Sequence, residues 1–187
     1  MFHEKVVPSD GASASFIGNN SQVESVEMHG VYTAKCFDAQ GRLKWAEKVD
    51  NLVTTVGKND LLDKYLAGSA YTAAIVMGLK GTGVAVVGDT QSSHASWLEV
   101  GLANVPAYSG TRKTPAFSAA ASGSKATSAA VAFTFTSGGT VAGVFINQGG
   151  TSAIDNTTGI LYSAGDFASA RVVVATDVLN VTYTASA

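Results

Sequence analysis

The sequence predicts an all-β fold, a β-sandwich or jelly-roll-like domain with one short helix and an extended N-terminal arm. Three observations lead to that class. Seven or more short apolar segments recur along the chain between clusters of Gly, Ser and Thr, the pattern of strands and their turns. A single stretch, at about residues 55–67, has the spacing of a helix. The first 27 residues keep neither period, so the expected division is an arm over 1–27 and one β-sandwich body over 28–187.

The arm mixes small polar residues, such as Ser9-Asp10-Gly11 and Gly18-Asn19-Asn20-Ser21, with scattered hydrophobes. It buries too little alone to fold and is expected to order against a neighbour. Residues 28–50 predict a hairpin. Val31, Thr33, Lys35 and Phe37 alternate with Tyr32, Ala34 and Cys36, and Asp38-Ala39-Gln40-Gly41 places Asp and Gly at the ends of a type I turn. Leu43 and Trp45 then alternate with Arg42 and Lys44 in a half-exposed return strand.

For the helix, Thr54 or Thr55 supplies the N-cap. Leu61, Leu62, Tyr65 and Leu66 share one stripe, and Gly68 supplies the stop. So short a helix is marginal in isolation, so the stripe is expected to pack on a sheet. Further on, Ala73 to Leu79 reads as a buried strand. Val131, Phe133 and Phe135 form one strand, joined as a hairpin through Ser137-Gly138-Gly139-Thr140 to a second over Val141 to Ile146. Ile160 to Tyr162, Val172 to Val174 and Val178 to Thr184 complete the set, the last with Leu179, Val181 and Tyr183 on one face. Ser118 to Ser128, nearly all Ala, Ser and Gly, reads as a surface loop.

A chain of 187 residues buries roughly 70% of its unfolded surface and needs no disulfide or metal to hold a core. Cys36 is the sole cysteine, which fits synthesis in a reducing compartment. No apolar run is long enough for a membrane span, and Met1 to Asp10 carries no secretory h-region. Charged residues make up 14% of the chain, against about 25% in an ordinary domain, and the net charge is −2. Arg112-Lys113 is the only adjacent basic pair, so a nucleic acid partner is not expected. Neither is a membrane partner.

Catalytic chemistry is thinly supplied. The three histidines are His3, His29 and His94, and after Thr114 the charged residues are Lys125, Asp155, Asp166, Arg171 and Asp177. Ser93, His94 and Asp89 are sequence neighbours, whereas a working triad assembles from separate elements. His29, Cys36 and His94 lack zinc spacing, and Asp155, Asn156 and Asp166 do not write an EF-hand. Thr55-Val56-Gly57-Lys58-Asn59 fails the phosphate-loop pattern at Leu52 and Asn59, and Gly81-Thr82-Gly83 lacks its third glycine at Val86. Three matches to the glycosylation sequon, at Asn19, Asn156 and Asn180, carry no weight without a leader. The expectation is no enzyme, no cofactor and no metal, with function carried by surfaces. Phe2, Val6, Val7, Phe16 and Ile17, hydrophobes on the arm, are the candidate contacts.

One stretch carries a resemblance. It is Asn51-Leu52-Val53-Thr54-Thr55-Val56-Gly57-Lys58-Asn59-Asp60-Leu61-Leu62-Asp63-Lys64-Tyr65-Leu66, followed by Gly68-Ser69 and Tyr71-Thr72-Ala73-Ala74 and preceded by the hairpin containing Trp45. It resembles a structural protein of tailed bacteriophages, of the head-decoration, cement or head-fibre type. Ser93 to Trp97, Gly159 to Phe167 and Leu179 to Thr184 are similar too, so the resemblance spans roughly residues 30–187. Ile75-Val76-Met77-Gly78 departs from it, standing where an aromatic-rich strand is implied, and Lys80 to Val87 is an unusual sequel.

The resemblance implies a virion protein made in the host cytoplasm and placed on the capsid exterior. It would bind the major capsid protein and itself as a dimer or trimer, symmetry multiplying weak contacts. The arm Met1 to Val26 would reach across the capsid with Phe2, Val6, Val7, Phe16 and Ile17 as anchors. The alternative is a tail- or fibre-associated receptor-binding β protein using loops Gly81–Gly88 and Ser118–Ser128, which hold no aromatic or acidic residue. An envelope hydrolase would need paired carboxylates, and Glu99 is the last glutamate.

Overall fold

The computed structural model describes residues 27–67 and 74–187. Ten strands and one helix follow in the order β1 (His29–Phe37), β2 (Leu43–Asp50), β3 (Leu52–Val53), α1 (Thr55–Leu66), β4 (Ile75–Lys80), β5 (Glu99–Val100), β6 (Ser124–Ala126), β7 (Val131–Thr134), β8 (Gly139–Gln148), β9 (Ile160–Val173) and β10 (Val178–Ser186). They form two antiparallel sheets. One runs β2-β1-β10-β6, with β7 also pairing with β10, and the other runs β3-β9-β8-β4-β5. The fold is therefore an all-β sandwich with one short helix, as the sequence predicts.

Alternation along β1 and β10 builds the core. Tyr32, Ala34 and Cys36 lie opposite Tyr183, Val181 and Leu179 in register, and all six are buried. They meet Met77, Leu79, Val141, Val144 and Ile146 from the facing sheet. The two tyrosines tie the layers together. Their rings pack 4.7 Å apart, the Tyr32 hydroxyl shares a 2.6 Å hydrogen bond with Ser163 Oγ, and Asn51 Nδ2 donates to Tyr183 Oη at 2.9 Å.

The hairpin of β1 and β2 closes as expected. Gly41 N–H donates to the Asp38 carbonyl at 2.9 Å, and Gly41 takes the positive φ of 75° that a side chain resists. The Asp38 carboxylate accepts from the backbone N–H groups of Gln40 and Arg42, and these bonds hold its pKa below the ordinary carboxylate value.

Other connections differ from expectation. Ser137-Gly138-Gly139-Thr140 does not join a hairpin: β7 pairs with β10, whereas β8 pairs with β4 and β9, so this link crosses between the sheets. Ile160 to Tyr162 and Val172-Val173 are the two ends of one strand, β9. Its register against β8 jumps from Gly143↔Asp166 to Val141↔Arg171, a bulge that frees backbone groups between them. Glu47 on β2 meets that need, accepting from Ala168 N–H and from Arg171 Nε, the latter at 2.7 Å. Part of the expected loop Ser118 to Ser128 is strand β6, held on the edge of β10.

The second sheet is covered on both faces, which explains why seven consecutive residues of β8, Val141 to Asn147, are buried. The sandwich core covers one face. On the other, Phe145 packs with Ala85, Trp97, Leu161 and Ala164 beneath the segment 81–98 and beside α1.

The largest correction concerns α1. Its stripe does not pack on the sheet: Leu61, Leu62, Tyr65 and Leu66 are 36%, 52%, 85% and 74% exposed. The helix rests instead through Gly57, its one buried residue. A Cβ on Gly57 would lie 2.5 Å from the Tyr162 carbonyl oxygen of β9, so only glycine lets the helix approach this closely. The predicted stop at Gly68 lies outside the described residues.

Candidate functional site

The arm anchors Phe2, Val6, Val7, Phe16 and Ile17 lie outside the described residues. What the structure does display is the outward side of α1. Thr54 caps this helix, its Oγ1 accepting from Gly57 N–H at 3.1 Å while its hydroxyl donates to the Leu161 carbonyl. Thr55 N–H donates to the Val87 carbonyl at 2.9 Å, so the N-terminus is pinned to both β9 and the covering segment. Near the other end, the i,i+4 pair of Asp60 and Lys64 closes at 3.1 Å. The helix held through Gly57 leaves Leu62, Tyr65 and Leu66 well exposed, while Leu61, one turn along from Gly57, is the least exposed of the four. Between α1 and the entry to β1 runs a groove of about 400 Å³, floored by Val53 and walled by Met28, Leu61 and Leu62.

Lys80, Glu99, Arg112 and Asp177, charged side chains that reach the interior, are engaged in ion pairs. Arg112 donates through Nε and Nη2 to the two Glu99 carboxylate oxygens at 2.8 and 2.6 Å, and both side chains are buried. Arg112 also donates to the Asn156 carbonyl at 2.7 Å, while Glu99 accepts from Asp155 N–H at 2.8 Å. The pair thus fastens the 149–159 connection to the edge of the second sheet. Lys80 is fully buried. Its stem crosses β8 over Gly143, where a Cβ would meet Lys80 Cγ and Cδ at 2.9 Å, and its ammonium pairs with Asp166 and donates to the Gly83 carbonyl at 2.6 Å. Lys44 pairs with buried Asp177.

The sequence neighbours Ser93, His94 and Asp89 do not form a catalytic relay. Asp89 Oδ2 accepts from Trp97 Nε1 and Val86 N–H, each at 2.9 Å. His94 stacks on the Trp97 indole at 4.0 Å and donates from Nδ1 to the Trp97 carbonyl at 3.0 Å. These bonds brace the covering segment 81–98 internally, and it meets the sheet through the Trp97 ring against Phe145 of β8, 5.6 Å between centroids. Among the described residues, no three His, Cys, Asp or Glu side chains gather to hold a metal, and Asp166 and Asp155 bind different partners. Burial, and to a lesser degree Asp177, pushes the Cys36 thiol up to about 11, keeping it protonated and unreactive at neutral pH.

No helix among the described residues is long and apolar enough to cross a membrane. No known family model, curated protein or solved structure matches this chain.

Sequence reasoning placed α1 and its stripe correctly along the chain but pointed the stripe inward. The signal available was Gly57, a helix-weakening residue within the first turn, where close backbone approach explains its presence. For Lys80, Glu99, Arg112 and Asp166, the available signal was charge inside or beside apolar strand text in a chain so poor in charge.

Proposed function

We propose that this chain is a non-enzymatic structural subunit that assembles on other protein subunits, as a decoration or cement protein on the exterior of a tailed-phage head. The observation that carries the reading is the outward stripe of α1. Four large apolar side chains stand together on a helix fixed to a rigid sheet, the arrangement of a helix-presented docking face. They belong to the 51–66 run that carries the resemblance to phage head proteins, so the resembling segment is also the sticky one. The buried charged pairs support a structural rather than catalytic use, because each ties one strand or connection to another. Under this reading the arm leaves the body at Glu27, on the same side as α1, and its hydrophobes add to one contact face toward the major capsid protein. Self-association into a dimer or trimer would multiply that contact.

The test is co-sedimentation of the purified chain with phage heads lacking it, and separately with tails and host cells. Saturable binding to heads, lost on deletion of residues 1–26 in a chain that stays folded, is the expected result. Binding to tails or cells and not to heads overturns the decoration reading in favour of a tail- or fibre-associated protein.

A further inference from the structure

We propose that one open end of the sandwich, between β10 and β6 in one sheet and β4 and β8 in the other, binds a small apolar carboxylate with the Lys125 ammonium as its counter-charge. The first argument is the gap itself. Along β10 the inward positions are Leu179, Val181, Tyr183 and Ala185, so a row of large side chains ends on a methyl group. Ile75 and Ile146 line the gap from the facing sheet, and an apolar pocket of about 110 Å³ opens between the two. An enclosed apolar cavity of about 150 Å³ holds benzene. This smaller, open pocket therefore takes most of one ring or a short aliphatic tail. Phe117, Tyr162 and Tyr183 also line it, so an aromatic ring finds edges and faces to pack on.

The second argument is charge. Lys125 of β6 lies opposite Ala185 in register, and such partners project to the same face of a sheet. Its side chain therefore stands on the pocket side, and among the described residues it is the only charged group in the lining. The ammonium is held there: it donates to the Ser118 carbonyl at 3.0 Å and lies 5.9 Å from the centre of the Phe117 ring. That bond uses one of the ammonium's three donors and leaves two for a ligand. Gln148, opposite Ile75 in register, adds an amide that can donate a further hydrogen bond. An apolar body with an anionic head satisfies both parts of this lining, whereas a cation of the same shape meets like charge. The proposal concerns the chain alone and stands whether or not it belongs on a phage head.

The experiment follows backbone amide shifts of the full chain while phenylacetate, 2-phenylethanol and 2-phenylethylamine are added separately at fixed pH. Phenylacetate should saturate in the millimolar range that so few atoms reach, moving residues around Ile75, Phe117, Ile146 and Ala185. The alcohol should bind more weakly, and the amine more weakly still. Lys125→Met should weaken phenylacetate about 3-fold or more, the size of an exposed charge pair, and leave the alcohol unchanged. Ala185→Leu fills the pocket and should abolish binding of both, with its unfolding midpoint measured alongside. If that variant does not fold, the order of the three ligands and the Lys125→Met result decide alone. Phenylacetate that fails to saturate by about 50 mM overturns the proposal and leaves Lys125 as a charge guarding the edge of β6. So does amine binding as tight as that of the acid, or a Lys125→Met variant that binds the acid unchanged.

Discussion

The α-carbon of Gly57 faces the carbonyl oxygen of Tyr162 so closely that a Cβ would stand 2.5 Å from it. This contact sets the Gly57 side of α1 against β9, and Leu62, Tyr65 and Leu66 are left exposed. In an ordinary exposed helix, Gly→Ala stabilises by about 1 kcal/mol. Here Gly57→Ala is predicted to act with the opposite sign, lowering stability by about 1–3 kcal/mol through overpacking against β9. Urea unfolding of the two proteins measures it, and the loss should be accompanied by faster amide exchange in α1 than elsewhere.

Arg112 and Glu99 make the second prediction. Removing one partner of a buried, forked ion pair strands the other charge, at a cost of about 3–5 kcal/mol. Arg112→Met should lower the unfolding free energy by that amount. Arg112→Lys should be nearly as damaging, because an ammonium cannot reproduce the two parallel bonds to Glu99 or the bond to the Asn156 carbonyl.

How far the fold was legible follows from what kind of information each element needs. The β1–β2 hairpin and the alternating faces of β1 and β10 were legible because alternation and the Asp38–Gly41 turn are local. The cap was narrowed to Thr54 or Thr55 for the same reason, and Thr54 fills it. Strand pairing was not, because Ser137-Gly138-Gly139-Thr140 reads as a turn whether the chain returns in the same sheet or crosses to the other. Nor was the unity of β9, since Gly165 reads as a break, whereas its lack of a side chain makes room for the Tyr32 ring, 2.6 Å from where a Cβ would lie. The stripe of α1 was seen and its orientation missed, because an apolar stripe ordinarily faces the core, whereas here the buried residue of the helix is Gly57. Arg112 with Glu99 and Lys80 with Asp166 were invisible as pairs, since each joins residues 13 or 86 positions apart through the fold.

The third prediction is a loss of stability at alkaline pH. Burial raises the pKa values of Tyr32, Tyr183, Tyr108 and Tyr162, and raises Cys36 from 9.0 to about 11. For each group the folded state holds its proton to higher pH than the unfolded chain does. Stability is therefore unaffected below the unfolded value and falls as pH rises above it. The Cys36 contribution should be lost between pH 9.0 and about 11, and the tyrosine contributions above 10.0. Urea midpoints from pH 7 to 11 measure the decline, and Cys36→Ala should flatten its first part. A profile that rises above pH 9 contradicts the burial of these groups.

The most direct measurement of the central claim is the affinity of Tyr65→Asp/Leu66→Asp for phage heads lacking this protein, beside the full chain. Both side chains are exposed and the pair should leave the unfolding midpoint nearly unchanged. If the outward side of α1 is the contact face, the variant should bind about 30-fold or more weakly, the loss of about 2 kcal/mol expected at an interface hot spot. Undiminished affinity of the folded variant for heads would contradict the account and move the contact to another surface.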